Sequence, residues 1–481
     1  MNKRGCEEMK VEILDMDATT LSKKLRTGEI SSVEATTTYI QQIKRANTNL
    51  NFLVEDRFTH VLQEAEQCDE ILKEGKGEGR LFGVPISMKE CFDVAGMKTT
   101  GGLSHLKDYV VDQDADIVTK LREEGAIILG KTNTPTLCFC QETDNKLYGR
   151  SNNPWDITRT TGGSSGGEAA CIAVGGAAVG IGSDIGGSIR FPAHFNGVIG
   201  FKSGANQISS IGHFPPVTDP YQEKMLGIGA IAKSVADAEL INEILAVNPL
   251  EEIDLTKFEL IIPPIHPKAP IGEETRELLE TVKSYLSNHY SITNPYPPYF
   301  EKMAMMWQLC MSIDGGAGVA NHAFLDKKSS PIKEYMKELF YQNANIHRHL
   351  SWGLIGVKLF KPSNKQLDKL KHDLAIAQKE SKDYFHQKVL IVPVYHEPTL
   401  PHGEVYKEIF SIRKTYQKYM PYVSIANTLG LPALTIPVGE NKNGLPIAIQ
   451  LITTVGQEKS LFYFGRLIEK NFRGYRRCNL H

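Results

Sequence analysis

Apolar positions in the first third of the chain recur at helical spacing and then give way to strand-like runs. Ser31 and Glu34 make a capping box ahead of VEATTTYIQQIKRA, and a second helical stretch over residues 59–73 ends in the polar turn EGKGEGR. The run GVPISM then reads as a buried strand ending at Lys89. Residues 114–124 form a short amphipathic helix stopped by Gly125, with a strand over 126–129 behind it. Beyond Gly167 the segment EAACIAVGGAAV is a helix of small side chains able to lie close on a sheet, and GIGSDIGGS leaves a strand through a glycine-rich turn. Such alternation predicts an α/β architecture.

Further along, proline crowds both edges of residues 250–300 around one helix, GEETRELLETVKSYL, and residues 300–420 read as mainly helical. Sheet returns at 433–438 and, after the turn ENKNG, at 445–452. With strand signals at both ends, no repeat and no low-complexity tract, residues 1–481 are expected to form a single intertwined domain. Its parts are a helical region over 1–75, a core over 80–250, a helical region over 300–420 and a return to the sheet over 423–470.

Composition narrows the class. The 481 residues are 41% hydrophobic and 23% charged, with a formal net charge of −2 and no long basic run, which gives no footing for a nucleic-acid partner. Eight cysteines are too few for a disulfide scaffold, and Cys138 and Cys140 lack a second pair at zinc-ligand spacing, so they read as buried free thiols. The charged start MNKRGCEEMKVEILDMDATT has no signal-peptide core, and no apolar run is long enough to span a bilayer. A chain in a reducing compartment is expected, cytoplasmic or peripheral to an intracellular membrane.

The densest unusual segments are TTGGSSGGE from Thr160 to Glu168 and GSDIGGSIR from Gly182 to Arg190. Neither matches a phosphate loop or a dinucleotide loop. Consecutive N–H groups at Ile185, Gly186, Gly187 and Ser188 can converge on an oxyanion, with a serine at the end of the loop to attack a carbonyl. That serine needs a base. No histidine among fourteen stands in an esterase-like setting and there is no G-x-S-x-G elbow, which leaves a lysine held neutral. Lys89 and Lys131 both end apolar strand-like runs, and the residues alone do not choose between them.

In order and spacing, GVPISMKE, GGSSGGE and GSDIGGSIRFPA resemble the amidase signature family, over about residues 30–470. YGRSNNPWD, FNG and GLPIAIQL look most like its branch acting on fatty-acid amides. The resemblance implies a large mixed central sheet covered by helices on both faces and a Ser–cisSer–Lys triad with no metal or cofactor. Ser188 would be the nucleophile, Ser164 the bridging serine behind a cis peptide, and Lys89 the base; Ser165, Asp184 and Arg190 would support the loop. It further implies a lipophilic small-molecule amide as substrate, peripheral membrane contact and a homodimer. FKSGA at 201–205 and GAIA at 229–232 depart from the family pattern, outside the triad.

The cluster MAMMWQLCM at 303–311 and residues 339–341 read as packed core, with an acyl-chain channel as the alternative. The segment LSWGLIGVKLF at 350–360 reads as a buried helix, the alternative being a membrane-facing one. Two other functions fit the same residues less well: a glutamine-hydrolysing component of a transamidation complex, and a catalytically silent binding protein on the same fold.

Overall fold

In the computed structural model, which describes residues 12–324, 329–411 and 413–480, the strand-like runs assemble into a mixed sheet of eleven strands. They are β1 (Leu53–Asp56), β2 (Pro85–Lys89), β3 (Ile127–Thr132), β6 (Val179–Asp184), β7 (Ile199–Lys202), β8 (Gly227–Ala232), β9 (Glu259–Ile261), β10 (Ile292–Thr293), β11 (Lys388–Pro393), β12 (Ala433–Glu440) and β13 (Pro446–Ile452). A separate ribbon pairs β4 (Asn152–Asn153) with β5 (Asp156–Thr160). The order across the sheet is β1-β3-β2-β6-β8-β7-β12-β13-β11-β9-β10. β3, β2 and β6 run parallel, β9 pairs in parallel with β10 and β11, and the other pairings are antiparallel. Every residue of β2, β3, β6, β7 and β8 is buried, which is why these strands read as continuous apolar runs instead of alternating ones. With helices packed against this sheet, the architecture is α/β as expected.

The register places the chemistry. Met88 stands opposite Ile181 in the parallel β2–β6 pair, so Lys89 ends its strand beside Gly182, one residue short of Ser183. Crevices at the carboxyl ends of parallel strands are where open α/β sheets hold ligands. Between β5 and β6 the helix Gly166–Ala173 lies fully buried. A Cβ on Gly167 would stand 2.6 Å from the backbone N and O of Asn133, so only glycine permits this approach.

The expected capping box at Ser31 is half made. Ser31 Oγ accepts from the Glu34 N–H at 3.0 Å, but the Glu34 side chain does not return to the Ser31 N–H. Asp69, on the neighbouring helix Phe58–Lys73, takes the free N–H groups of Ser32 and Val33 at 2.6 and 3.1 Å instead. The cap is thus tertiary, and no local pattern reveals it.

Strands beyond those expected are β1 within the helical start, the β4–β5 ribbon, β7 and β8 in the core region, β9 and β10 in the proline-rich stretch, and β11 in the helical stretch. Residues 1–11 of the charged start lie outside the described residues. No helix among the described residues is long and apolar enough to cross a membrane.

Candidate active site

Lys89 is wholly buried, and its Nζ donates to Ser164 Oγ at 2.6 Å and to Ser183 Oγ at 3.0 Å. Ser164 follows the cis Gly163–Ser164 peptide, the geometry the resemblance implies. Lys131, the rival base, sits on the adjacent strand β3 but faces elsewhere. It donates to Lys98 O and to Thr99 Oγ1, the latter at 2.8 Å, in the company of the buried Glu90 carboxyl. Burial pushes the Lys131 ammonium below the usual lysine range while Glu90 opposes the shift. Lys89 therefore reaches the serine loop and Lys131 does not.

Ser188 and Ser164 line one cavity of about 360 Å³. Among the described residues no hydrogen bond joins their hydroxyls; the loops are coupled through Ser165, whose N–H donates to the Ser188 carbonyl at 3.1 Å. Ser165 Oγ also donates to the Ser183 carbonyl at 3.3 Å.

The peptides of the glycine-rich loop before Ser188 are oriented from behind. Asn427 Nδ2 holds the Asp184 carbonyl at 3.2 Å, Trp307 Nε1 holds that of Ile185 at 2.9 Å, and the Phe191 N–H holds that of Gly187 at 2.8 Å. Because the N–H of a trans peptide points opposite its C=O, the N–H groups of Ile185, Gly186 and Ser188 turn the other way. Among the described residues these three meet no acceptor. The Gly187 N–H is engaged by Asp184 Oδ1 at 2.8 Å. A Cβ at Gly186 would stand 2.5 Å from the Trp307 ring and one at Gly187 2.6 Å from the Phe191 ring, so the loop closes only with glycine at both.

Under the loop, Arg190 Nε and Nη2 grip the Asp184 carboxylate at 3.0 and 3.1 Å, with both side chains fully buried. Burial alone would raise the Asp184 pKa, but the Arg190 guanidinium holds it well below the usual carboxylate range. Arg190 also donates to Val423 O and Gln450 Oε1 at 2.7 and 2.8 Å, tying the loop to β13. Beside this pair, Lys202 of the departing FKSGA segment donates to Ser203 O and Leu431 O, and burial brings its pKa down to about 7.

Two neighbours of Lys89 escape sequence reasoning. Ser183 accepts from Lys89, and His213 Nε2 lies 3.0 Å from Ser183 Oγ. His213 Nδ1 is 3.0 Å from the Pro215 carbonyl, which only accepts, so Nδ1 carries the proton. Burial lowers the His213 pKa, which leaves Nε2 to accept from the Ser183 hydroxyl. Ser183 at least stands within the GSDIGGS motif; His213, thirty residues away, carries no local signal.

The cavity wall is mostly apolar: Leu137, Phe139, Ile185, Val217, Leu226 and Val319 contribute, with Met311 from the methionine-rich helix. Met303, Met306 and Trp307 of that helix pack into the core, as its sequence suggests, and line no part of the cavity. Residues 339–341 do not: Leu339, Phe340 and Tyr341 are exposed at the surface, away from both core and cavity. They crown a helix that packs on Arg348–Leu359, the helix of the LSWGLIGVKLF segment, whose Leu350, Leu354 and Val357 are buried while Leu359 is exposed.

Comparisons with known proteins agree with the family resemblance and with the α/β fold. The family model described as Amidase matches residues 34–462. Fatty-acid amide hydrolase 2-B of Danio rerio is 30% identical, over 96% of this chain and 90% of its own. A glutamyl-tRNA(Gln) amidotransferase component from Clostridium acetobutylicum is 28% identical, over 96% of this chain and 100% of its own. A solved structure titled fatty acid amide hydrolase superposes with a TM-score of 0.81 at 22% identity, over 96% of this chain and 86% of that one, a likeness of fold alone. The chain belongs to the amidase signature family and is an amide hydrolase of that family.

Proposed function

We propose that residues 1–481, as one domain, cleave lipophilic carboxylic amides through an acyl-enzyme on Ser188, with Ser164 and Lys89 as the proton relay. The observation that carries the reading is the Lys89 Nζ to Ser164 Oγ contact at 2.6 Å on the cavity that Ser188 shares. With Lys89 neutral that bond reverses: the Ser164 hydroxyl gives its proton to Nζ, takes the proton of Ser188, and Ser188 Oγ attacks the carbonyl carbon. Charge then developing on the carbonyl oxygen meets the unengaged N–H groups of Ile185, Gly186 and Ser188, with Gly187 close by. When the C–N bond breaks, the proton returns from Lys89 through Ser164 to the leaving amine. Water hydrolyses the acyl ester over the same path.

Two features support a lipophilic substrate. The cavity wall is apolar, and Ile332, Met336, Leu339, Phe340, Tyr341 and Leu359 expose apolar surface on two packed helices, a face suited to resting on a lipid surface. A homodimer belongs to the same reading by family likeness. The test is kcat/KM over saturated primary amides from about six to about twenty carbons, below their micelle concentrations, with no partner protein added. Each buried methylene contributes about 0.8 kcal/mol, so two carbons raise kcat/KM roughly tenfold until the cavity is full. A flat or falling series removes the lipid substrate and leaves the amidase; turnover appearing only with a partner protein points to the glutamine-hydrolysing role.

A further inference from the structure

Next to the relay, beside His213, stand two thiols that the proposed hydrolysis does not use. Cys91 lies just past the carboxyl end of β2, Cys138 in the chain after β3, and His213 between β7 and β8. Both sulfurs and a His213 ring nitrogen lie within 4.8 Å of one another. Cys138 and His213 line the cavity, and Cys91 is buried behind them with its Sγ 3.8 Å from Ser183 Oγ. The ring of His213 is fixed on two sides, by the Nδ1–H bond to Pro215 O and by edge packing on Phe92 at 5.4 Å between centroids. Nδ1 being tied, Nε2 is the nitrogen left to ligate.

Two thiolates and an imidazole, with an open side toward water, are a donor set that Zn²⁺ favours. At zinc bond lengths of about 2.3 Å to sulfur and 2.0–2.1 Å to nitrogen, tetrahedral ligand atoms stand about 3.5–3.8 Å apart. The cluster needs to contract by about 1 Å at its widest, a distance within reach of side-chain rotation at the two cysteines. The two thiolates would also offset the charge of the ion beside Lys89.

We propose that Cys91, Cys138 and His213 bind a thiophilic divalent metal ion of the Zn²⁺ class, which inhibits the enzyme reversibly. Coordination takes His213 Nε2 away from Ser183, and Ser183 then no longer holds Lys89 toward Ser164. The inhibition, though not the site, rests on the role proposed above for Lys89.

The experiment uses the whole chain, freed of metal under a non-chelating reductant, and titrates Co²⁺ and Zn²⁺ as probes. Expected are one Co²⁺ per chain with a thiolate-to-cobalt charge-transfer band and tetrahedral d–d bands, and turnover lost with Zn²⁺ and restored by EDTA. Chelator competition should show Zn²⁺ affinity falling more than tenfold in Cys91→Ala and in His213→Gln, with thermal melts confirming that each variant is folded. Absence of the thiolate band in the unsubstituted protein overturns the site whether or not any variant folds. Loss of two free thiols that reductant, and not EDTA, reverses would mean a Cys91–Cys138 disulfide and also overturns it. Full Zn²⁺ occupancy with undiminished turnover overturns the inhibition. A chain lacking amidase activity altogether would still show the cobalt spectrum, so failure of the proposed relay is told apart from failure of the site.

Discussion

The serine–lysine loops and the helices of residues 331–359 solve opposite problems. Around the loops the groups are polar and sealed: Lys89, Asp184 and Arg190 have no exposed surface, and each side chain is held by two or more partners. On the helices the groups are apolar and open, Leu339, Phe340 and Tyr341 being 62%, 65% and 74% exposed. Burying unpaired polar groups costs several kcal/mol, whereas an exposed apolar side chain costs the fold almost nothing. Folding therefore constrains the loops, whereas it places almost no demand on the helical face. Substitutions should separate the two regions.

The largest effect is expected at Lys89. Lys89→Ala should lower kcat/KM by three or more orders of magnitude, since the proposed relay loses both its base and its acid. Lys131→Ala, equally buried, should cost about 1–3 kcal/mol of stability by leaving buried partners unpaired, with turnover per folded molecule within about tenfold of the parent. Steady-state kinetics on folded fractions, set beside urea melts, check both; a larger kinetic loss at Lys131 reverses the assignment. Next comes Asp184→Asn, which strands the buried Arg190 and should destabilise by about 3–5 kcal/mol, read from the denaturation midpoint.

Glu168 offers a smaller, pH-dependent contrast. It is buried against the Ser87 and Thr132 hydroxyls, and burial raises its pKa to about 7 while those bonds oppose the rise. A carboxyl raised on folding contributes stability that is full below its unfolded pKa and is lost as pH climbs through the folded value. Stability should accordingly fall between about pH 4.5 and about pH 7, and Glu168→Gln should remove up to about 3 kcal/mol of that fall. Buried Glu142 and Asp237, also raised to about 7 by burial, keep the remaining slope in the same direction. Identical melting profiles for the two proteins would exclude this account of Glu168.

The smallest folding effect belongs to the open face. Replacing Phe340 and Tyr341 together by Ser should change stability by no more than about 0.5 kcal/mol and leave turnover of a short soluble amide intact, while weakening binding to lipid vesicles several-fold. Unchanged vesicle binding would strip the face of its proposed role.

What is legible in the chain follows the same divide. The glycine-rich motifs mark the loop because glycine at 186 and 187 is dictated by the rings of Trp307 and Phe191, and residue type alone carries that demand. Choosing Lys89 over Lys131 needs family likeness: both are buried lysines on adjacent strands, and only tertiary structure tells which meets Ser164. His213, Trp307 and Asn427 reach the site by long-range bonds that no spacing foretells. The strand β11, KVLIVP, does not stand out within a helical stretch because a short apolar run does not distinguish strand from buried helix. Residues 339–341, which read as core, lie outside it for a related reason, since an apolar run alone does not tell whether the side chains pack inside.

The central claim is that Ser188 carries the acyl group. Reacting the protein with a fluorophosphonate and mapping the adduct by peptide mass spectrometry tests it directly. One adduct per chain on Ser188 is predicted, with none on Ser188→Ala although that variant keeps its stability within about 1 kcal/mol. Stoichiometric labelling of folded Ser188→Ala, or an adduct on another serine of the unsubstituted protein, would contradict it.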